Sequence, residues 1–259
     1  MNSISEKNGK LTVTILGAGG TMGSRITANL LKKDYNLLLC DKGEAGLKKI
    51  IERGFQPAEN EKAACISDVV IMALPDSKIG EVSKVIVPAM KPGAILITLD
   101  PAAAYAGELL LRDDCAFVVT HPCHPPLFRE QDTKEAQKDY FGGIAAKQDI
   151  VIALLKGGEE KFRTARAICE EMFAPVEKCH RITLEQMAFM EPAVVEVIGA
   201  TCAYIMKQAV DEAVNHGVPQ EAAESFLLGH IHALLAIYFE KIPSPVSDAC
   251  KVAVQYGME

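Results

Sequence analysis

A glycine-rich segment near the start of the chain, GAGGTMG from Gly17 to Gly23, lies between a β-branched run and a helical pattern. Glycines let a backbone turn tightly and approach a pyrophosphate, and the N-terminus of the following helix offers N–H groups to the anion. The spacing is best described as GxxGxxG, with Gly17, Gly20 and Gly23 as its glycines. A glycine loop alone is a weak signal, but between the first strand and the first helix of a chain it predicts a dinucleotide-binding turn.

Asp41 ends the second apolar run, 18 residues beyond Gly23. A carboxylate at this position accepts hydrogen bonds from the adenosine ribose and repels a 2′-phosphate, so NAD is favoured over NADP. Lys42 slightly weakens that preference, but an NADP-dependent reductase is still disfavoured. The residues predicted to contact NAD are Gly17, Gly19, Gly20, Thr21, Met22, Gly23, Asp41, Leu74, Pro75 and Asp76.

His121 and Glu191 are the first two candidates for catalysis. His121 ends the run AFVVT, and ligands of open α/β sheets bind beyond the carboxyl ends of the strands. An imidazole there could take a hydroxyl proton as a hydride leaves. Glu191 lies in an apolar helical stretch beside Pro192, so we predict that its carboxylate faces a cleft, with a structural ion pair as the alternative. Together they could also hold a divalent metal of unknown identity, although two ligands without a short motif leave this open.

His230 is the third catalytic candidate, because the adjacent Gly229 permits a close approach of the backbone. His232, two residues on, must point to another face of the same helix. His124 is a weaker candidate than His121, and Cys123 is either a reactive thiol or an inert one.

The pattern of elements predicts two domains, 1–181 and 182–259. In the first, apolar runs alternate with helical patterns, which predicts a Rossmann-type, doubly wound, mostly parallel α/β sheet. Its predicted strands are Leu11–Leu16, Leu37–Cys40, Asp68–Leu74, Ala94–Leu99, Ala116–Thr120, Ile150–Leu155 and, shortest of all, Ala174–Val176. Residues 127–148 are polar and irregular, so we expect a mobile loop over the site, in which Arg129 or Lys134 could hold a substrate carboxylate. From Thr183 to Glu240 the pattern is almost entirely helical.

Bulk properties exclude several classes of protein. The 259 residues carry a formal net charge of −7 without a dense basic run, which argues against nucleic acid or an anionic membrane surface as a partner. The eight cysteines form no CxxC pair and the N-terminus is polar, which favours a cytoplasmic protein with reduced thiols and no signal peptide.

The most apolar stretch, Ala193 to Met206, is interrupted by Glu196 and is expected to be too polar and too short for a bilayer. Long apolar helices in the second domain predict a homodimer.

The sequence resembles dehydrogenases related to 6-phosphogluconate and prephenate dehydrogenases, through GAGGTMG, DVVIMALPD and a strand that ends in His-Pro. Within that group, THPCHPPLF (Thr120 to Phe128), Glu191-Pro192 and Gly229-His230 resemble a branch that includes the D-apionate oxidoisomerases. The resemblance covers nearly the whole chain. It implies NAD-dependent oxidation of a branched sugar acid with migration of part of its skeleton, and a helical domain that forms an intimate dimer, in which His230 would act in the partner subunit's site.

Two departures from the wider group limit the chemistry. Phosphogluconate dehydrogenases use a lysine in a GxxxK pattern, whereas here Gly199 is followed four residues later by Ala203. Prephenate dehydrogenases carry an HPM-type segment, and here Cys123 replaces the methionine. The sequence therefore predicts an oxidoreductase for a small polyhydroxy acid, with or without rearrangement. A nucleotide-sensing module is the alternative from another class, but a sensor needs no proton acceptor such as His121 at the nicotinamide end.

Overall fold

The computed structural model describes residues 9–258, so the polar segment 1–8, which contributes to the prediction of no signal peptide, lies outside the described residues. The chain divides into two compact units, the first ending at Glu191 and the second starting at Pro192. The predicted boundary after residue 181 falls earlier than this division. The reason is that a short helix after the last strand packs back onto the sheet, where Met187 is buried beside Val119 and Val151.

A seven-stranded sheet forms the centre of the first unit, with the strand order β2-β1-β3-β4-β5-β6-β7. Its strands are β1 (Thr12–Leu16), β2 (Asn36–Cys40), β3 (Val69–Met72), β4 (Ile95–Thr98), β5 (Ala116–Pro122), β6 (Gln148–Lys156) and β7 (Val176–Arg181). The first five strands are parallel, β6 runs antiparallel to β5, and β7 is parallel to β6. The strand order reverses between β1 and β3, which is the position where doubly wound sheets bind their ligands. The predicted Rossmann-type fold is confirmed.

Helices cover both faces of this sheet. They are α1 (Thr21–Leu30), α2 (Glu44–Glu52), α3 (Asn60–Ile66), α4 (Asp76–Ala89), α5 (Ala102–Tyr105), α6 (Lys134–Lys138), α7 (Glu159–Met172) and α8 (Leu184–Ala188). Every residue of β3 and β4 is buried, as continuous apolar runs predict for strands with helices on both faces. Each such buried Val or Ile side chain stabilises the fold by about 1.5–3 kcal/mol.

The second unit is helical, as predicted. A π-helical segment, Phe189–Ala200, runs across the division into α9 (Thr201–Asn215), which is followed by α10 (Gln220–Tyr238) and α11 (Asp248–Gly257). Pro192 lies inside the π-helical segment, and proline removes a backbone donor from the regular ladder. Gly217, with a φ of +88°, ends α9 before Pro219 opens α10.

The helical run Leu184–Asn215 is long and apolar enough to cross a bilayer by length and composition. The expectation that the stretch Ala193–Met206 is too short for this is therefore wrong, because the helix extends well beyond both of its ends. Core and interface helices of water-soluble proteins satisfy the same criterion, so the length by itself does not identify a membrane span.

Candidate active site

The glycine-rich turn between β1 and α1 has a geometry that larger residues cannot adopt. Gly17 has a φ of +79°, and a Cβ atom on it would lie 2.2 Å from the carbonyl oxygen of Ala73. A Cβ on Gly23 would lie 2.0 Å from the carbonyl oxygen of Gly17, and one on Gly19 would lie 2.2 Å from the Cα of Gly46. The turn is therefore packed closely against the first turn of α1 and against α2.

The start of α1 is suited to an anion. Gly20 is the N-cap, so no side chain caps the helix, and its first turn carries no acidic residue. Uncapped N–H groups at a helix N-terminus and the helix dipole favour a phosphate at this position. Thr21 is exposed, whereas Met22 packs against the core and would contribute through its backbone. The cradle that these glycines leave fits the pyrophosphate of a dinucleotide.

Asp41 lies directly beside this turn. One carboxylate oxygen accepts a hydrogen bond from the N–H of Gly19 at 3.0 Å, and the other accepts one from Gly43 at 2.9 Å. Lys49 donates to the carbonyl oxygen of Gly19 at 3.0 Å, so both sides of that peptide are fixed. These bonds orient the carboxylate at the end of β2, where an adenosine ribose would lie.

The Asp41 carboxylate predicts a testable cofactor preference. Asp41→Asn keeps an oxygen acceptor but removes the negative charge, so we expect the preference for NAD over NADP to fall by about tenfold or more. Lys42→Gln is the opposing control, because loss of its positive charge should leave or increase the preference for NAD. Dissociation constants of both dinucleotides by calorimetry measure the change, and an unaltered ratio in Asp41→Asn would refute this role.

The segment after β3 also meets the glycine turn. The Leu74 side chain lies 3.1 Å from the position of a Cβ on Gly17. Pro75 is the N-cap of α4, and Asp76 is its exposed first residue. The structure thus brings the two predicted halves of the dinucleotide site together, although contact of these residues with the cofactor stays a prediction.

His121 lies near the end of β5. This strand extends to Pro122, beyond its predicted end at Thr120. Its Nδ1 is 2.8 Å from the carbonyl oxygen of Pro122. Because a carbonyl can only accept, Nδ1 is the donor and Nε2 carries the lone pair. An imidazole with its Nδ1–H held by a backbone carbonyl is the form that serves as a base or as a metal ligand.

Glu191 follows α8 closely in the chain, and α8 packs on the sheet face that carries His121. His121 is paired with Val151 across β5 and β6, and directly opposed residues of an antiparallel pair point to one face. Met187 of α8 packs on that face against Val151 and Val119. Glu191 follows Met187 by four residues and lies in the π-helical segment that continues α8. That the Glu191 carboxylate meets the His121 imidazole stays a prediction.

The metal prediction rests on this pair alone. Within residues 9–258, no group of three or more His, Cys, Asp or Glu side chains is arranged to hold a metal ion. An imidazole nitrogen and a carboxylate oxygen are nevertheless suitable ligands for a divalent ion with open positions for substrate. The donor chemistry fits a metal, and its presence stays a prediction.

Residues 127–148 are more ordered than the sequence predicts. Thr133 caps α6, and Asp139 accepts hydrogen bonds from the backbone N–H groups of Ile144, Ala145 and Ala146. These N–H groups and the Arg25 guanidinium outweigh desolvation, the largest single influence, and hold the pKa of Asp139 below its usual value. Residues 127–148 are thus a polar connecting segment, as predicted, but they contain the helix α6 and a turn that is held by hydrogen bonds to Asp139.

Arg129 is already bound to two carboxylates, so it is not free to bind a substrate carboxylate. Its guanidinium pairs with Asp149 at 2.9 Å and with Glu177 at 3.4 Å, so binding a substrate carboxylate would require it to leave two partners. Lys134 is an exposed first residue of α6, and its contact with a substrate stays a prediction. Cys123 is a poor nucleophile, because desolvation and then the charge of Asp149 raise the pKa of its thiol.

His124, the weaker candidate by sequence, lies in contact with His121. Its ring meets that of His121 edge to face, with ring centroids 6.0 Å apart and an interplanar angle of 84°. The available signal was the repeated His-Pro pair in HPCHPP, which places a second imidazole three residues after the first.

His230 lies on α10 in the second unit. Its Nδ1 is 2.7 Å from the carbonyl oxygen of Phe226, and it lines an open cavity of about 460 Å³ together with Phe226 and Gly229. The carbonyl again fixes Nδ1 as the donor, so Nε2 carries the lone pair. The predicted action of His230 in the partner subunit's site stays a prediction.

Two family models cover most of the chain. Residues 12–105 match the NAD-binding domain of 6-phosphogluconate dehydrogenase, and residues 129–259 match the C-terminal domain of the decarboxylating phosphogluconate dehydrogenase. The glycine turn and Asp41 lie in the first of these regions, and His121 lies between the two.

Relatives with high sequence identity narrow the family further. The D-apionate oxidoisomerase of Blautia hydrogenotrophica is 51% identical over 96% of this chain and 88% of its own length. That of Cupriavidus necator is 44% identical over 96% of this chain and 90% of its own. A Cupriavidus necator semialdehyde dehydrogenase NAD-binding protein, solved with calcium and NAD, superimposes with a TM-score of 0.91 at 44% identity, covering 96% of this chain and 90% of that one. The chain is an NAD-dependent oxidoreductase that belongs to the family of the D-apionate oxidoisomerases.

Proposed function

We propose that this protein oxidises D-apionate, a branched polyhydroxy acid, with NAD and rearranges its carbon skeleton. The observation that carries the proposal is the position of His121 at the carboxyl end of β5, with its Nδ1 2.8 Å from the carbonyl oxygen of Pro122. The identity with D-apionate oxidoisomerases along nearly the whole chain supports the choice of substrate.

His121 performs the proton transfer of the oxidation. Its Nε2 takes the proton of the carbinol hydroxyl next to the carboxylate, and the carbon–hydrogen bond supplies a hydride. Bound NAD is the acceptor of that hydride. The fixed Nδ1–H holds the ring in the basic tautomer, so no rearrangement of the imidazole precedes the transfer.

Glu191 is the second group at the reacting centre. As a carboxylate it accepts a hydrogen bond from a substrate hydroxyl. In the metal-assisted version it would instead hold a divalent ion together with His121 Nε2, which would then be a metal ligand and not the proton acceptor. Such an ion, when bound, polarises a hydroxyl or a carbonyl as a Lewis acid. The calcium found with the related Cupriavidus necator protein is consistent with a cation in this family.

Turnover of D-apionate tests the function directly. We expect NADH to form from D-apionate faster than from a panel of linear sugar acids, with purified full-length protein. No NADH from D-apionate, with NAD binding intact by calorimetry, would contradict the proposal. A simple hydroxyacid dehydrogenase is the remaining alternative, and it would yield an oxo acid with an unchanged skeleton.

Chelation tests the metal. If His121 and Glu191 hold a divalent ion, treatment with a chelator should reduce turnover at least about tenfold and leave NAD affinity unchanged, with activity restored by added metal. Full turnover by protein whose metal content, by elemental analysis, is far below one ion per chain would contradict the metal-assisted version.

We further propose that the protein is a homodimer through its helical unit. Large apolar side chains there are more than half exposed in the single chain, among them Val195, Ile198 and Phe226. Only Val210, Ala223 and Ala236 are buried hydrophobic residues among the described residues of this unit. Exposed apolar surface of this extent favours a subunit interface. It also accounts for the apolar length of the run Leu184–Asn215 without a membrane, in keeping with the prediction of a cytoplasmic enzyme.

Sedimentation velocity tests the dimer. We expect a species of twice the 28.0 kDa chain mass at micromolar concentration without detergent. A stable monomer under those conditions would contradict the interface, and material that dissolves only in detergent would favour a membrane.

A further inference from the structure

His124 adopts an unusual backbone conformation. Its φ is +59°, in the left-handed region that non-glycine residues rarely occupy. Such a conformation persists only where surrounding contacts fix it, and it often occurs at functional sites. The two prolines that follow, Pro125 and Pro126, restrict the chain further.

Phe141 provides the contacts that hold the imidazole. Nδ1 of His124 lies 2.9 Å from the carbonyl oxygen of Phe141, so Nδ1 donates and Nε2 carries the lone pair. The Phe141 ring meets the imidazole edge to face, with centroids 5.8 Å apart and an angle of 86°. The Phe141 carbonyl thus sets the tautomer of His124, and the rings of Phe141 and His121 both pack edge to face with its imidazole.

Helix α1 in turn holds Phe141. The Arg25 guanidinium lies 5.6 Å from the centre of the Phe141 ring, pairs with Asp139 at 2.8 Å and donates to the carbonyl oxygen of Gly142. Asn29 donates to the carbonyl oxygen of Gly143 at 3.0 Å. The helix that begins at the dinucleotide turn therefore also positions the second imidazole.

His121 and His124 make the same kind of hydrogen bond, and their rings meet edge to face. Each donates its Nδ1–H to a backbone carbonyl, each keeps the lone pair on Nε2, and the ring centroids are 6.0 Å apart. Hydroxyl donors and imidazole nitrogens make hydrogen bonds of about 2.8 Å. Two rings at this separation can each receive one hydroxyl of a pair on neighbouring carbons.

We propose that His124 Nε2 accepts a hydrogen bond from the substrate hydroxyl on the carbon next to the one that is oxidised. The proposal rests on the proposed function and names a residue that selects vicinal dihydroxy acids. In the rearrangement, the bond between this neighbouring carbon and a hydroxymethyl group breaks and re-forms at the new carbonyl carbon. The held oxygen becomes the carbonyl, its proton passes to the former carbonyl oxygen, and no further oxidant is needed.

The variant His124→Asn tests the proposal with a minimal disturbance of the backbone. Asparagine tolerates a positive φ but does not reach the position of Nε2. We measure kcat/KM on D-apionate and on its analogue in which hydrogen replaces the neighbouring hydroxyl. The variant should lose about tenfold or more on D-apionate, but less than about twofold on the analogue, since only the former offers the hydrogen bond.

Product analysis adds a readout that a structural role would not alter. The variant should release a larger fraction of unrearranged 2-oxo acid than the wild type, because the hydroxyl that must become the carbonyl is no longer held. Equal losses on both substrates, or no loss on either, would overturn the role of His124 while leaving the oxidation itself established.

Failure of the proposed function would give a different result, since the wild-type protein itself would then form no NADH from D-apionate. The proposal for His124 would fail with it.

If His124→Asn does not fold, Phe141→Leu removes the supporting ring and keeps the carbonyl. We expect a smaller loss, again selective for D-apionate over the analogue, and an unselective loss would overturn the proposal.

Discussion

His121→Ala is expected to lower kcat about 10²–10⁴-fold and leave the dissociation constant of NAD unchanged. The variant removes the Nε2 lone pair that takes the hydroxyl proton, whereas the glycine turn and Asp41 keep their geometry. Single-turnover formation of NADH at saturating substrate measures the chemical step, and calorimetry measures NAD binding.

The matched control is His216→Ala. His216 is an exposed residue at the end of α9, with Nε2 3.1 Å from Glu212 of the preceding turn. Such a surface pair contributes little, so kcat should stay within about twofold. Activity retained in His121→Ala would show that another group, or bulk water, takes the proton.

Gly23→Ala is expected to disrupt both NAD binding and stability. A methyl group here would lie 2.0 Å from the carbonyl oxygen of Gly17 and 2.9 Å from the Cα of Ala18, so α1 must move away from the turn. Overpacking of this kind lowers the free energy of unfolding by about 1–3 kcal/mol. Because the same movement displaces the helix N-terminus from the pyrophosphate, NAD affinity should fall by about tenfold or more. Denaturant titration and calorimetry measure the two effects.

Gly158→Ser is the control for this substitution. Gly158 is the N-cap of α7, has an ordinary extended conformation, and has nothing within 4 Å of the position of a Cβ atom. Serine is a favoured N-cap residue, so stability should be equal or slightly higher and NAD affinity unchanged. If Gly23→Ala bound NAD as tightly as this control, the turn would not be the pyrophosphate site.

The features that sequence predicts well are those set by neighbours in the chain. The glycine turn is one, because the positive φ of Gly17 and the close approach at Gly23 arise within seven residues. The buried strands are another, since a run such as VVIM in β3 is apolar on both faces. By contrast, IVIALL in β6 is equally compatible with either direction, so its antiparallel pairing with β5 could not be predicted from its pattern.

The features that sequence misses depend on contacts between distant segments. Arg129 occurs in a polar stretch typical of a loop, yet two acidic residues from β6 and β7 bind it. The position of His124 is fixed by its contacts with Phe141. Phe141 in turn contacts Arg25, which belongs to a helix more than a hundred residues earlier in the chain. The first compact unit extends to Glu191, beyond residue 181, for a similar reason, since the packing of Met187 on the sheet leaves no local mark in the sequence.

The measurement that tests the central claim most directly is carbon-13 NMR of the product formed from labelled D-apionate and NAD. The account predicts one NADH per substrate and a 3-oxo acid in which a hydroxymethyl carbon has moved to the carbon that bears the carboxylate. A 2-oxo acid with the original skeleton would show a simple dehydrogenase and contradict the coupled rearrangement.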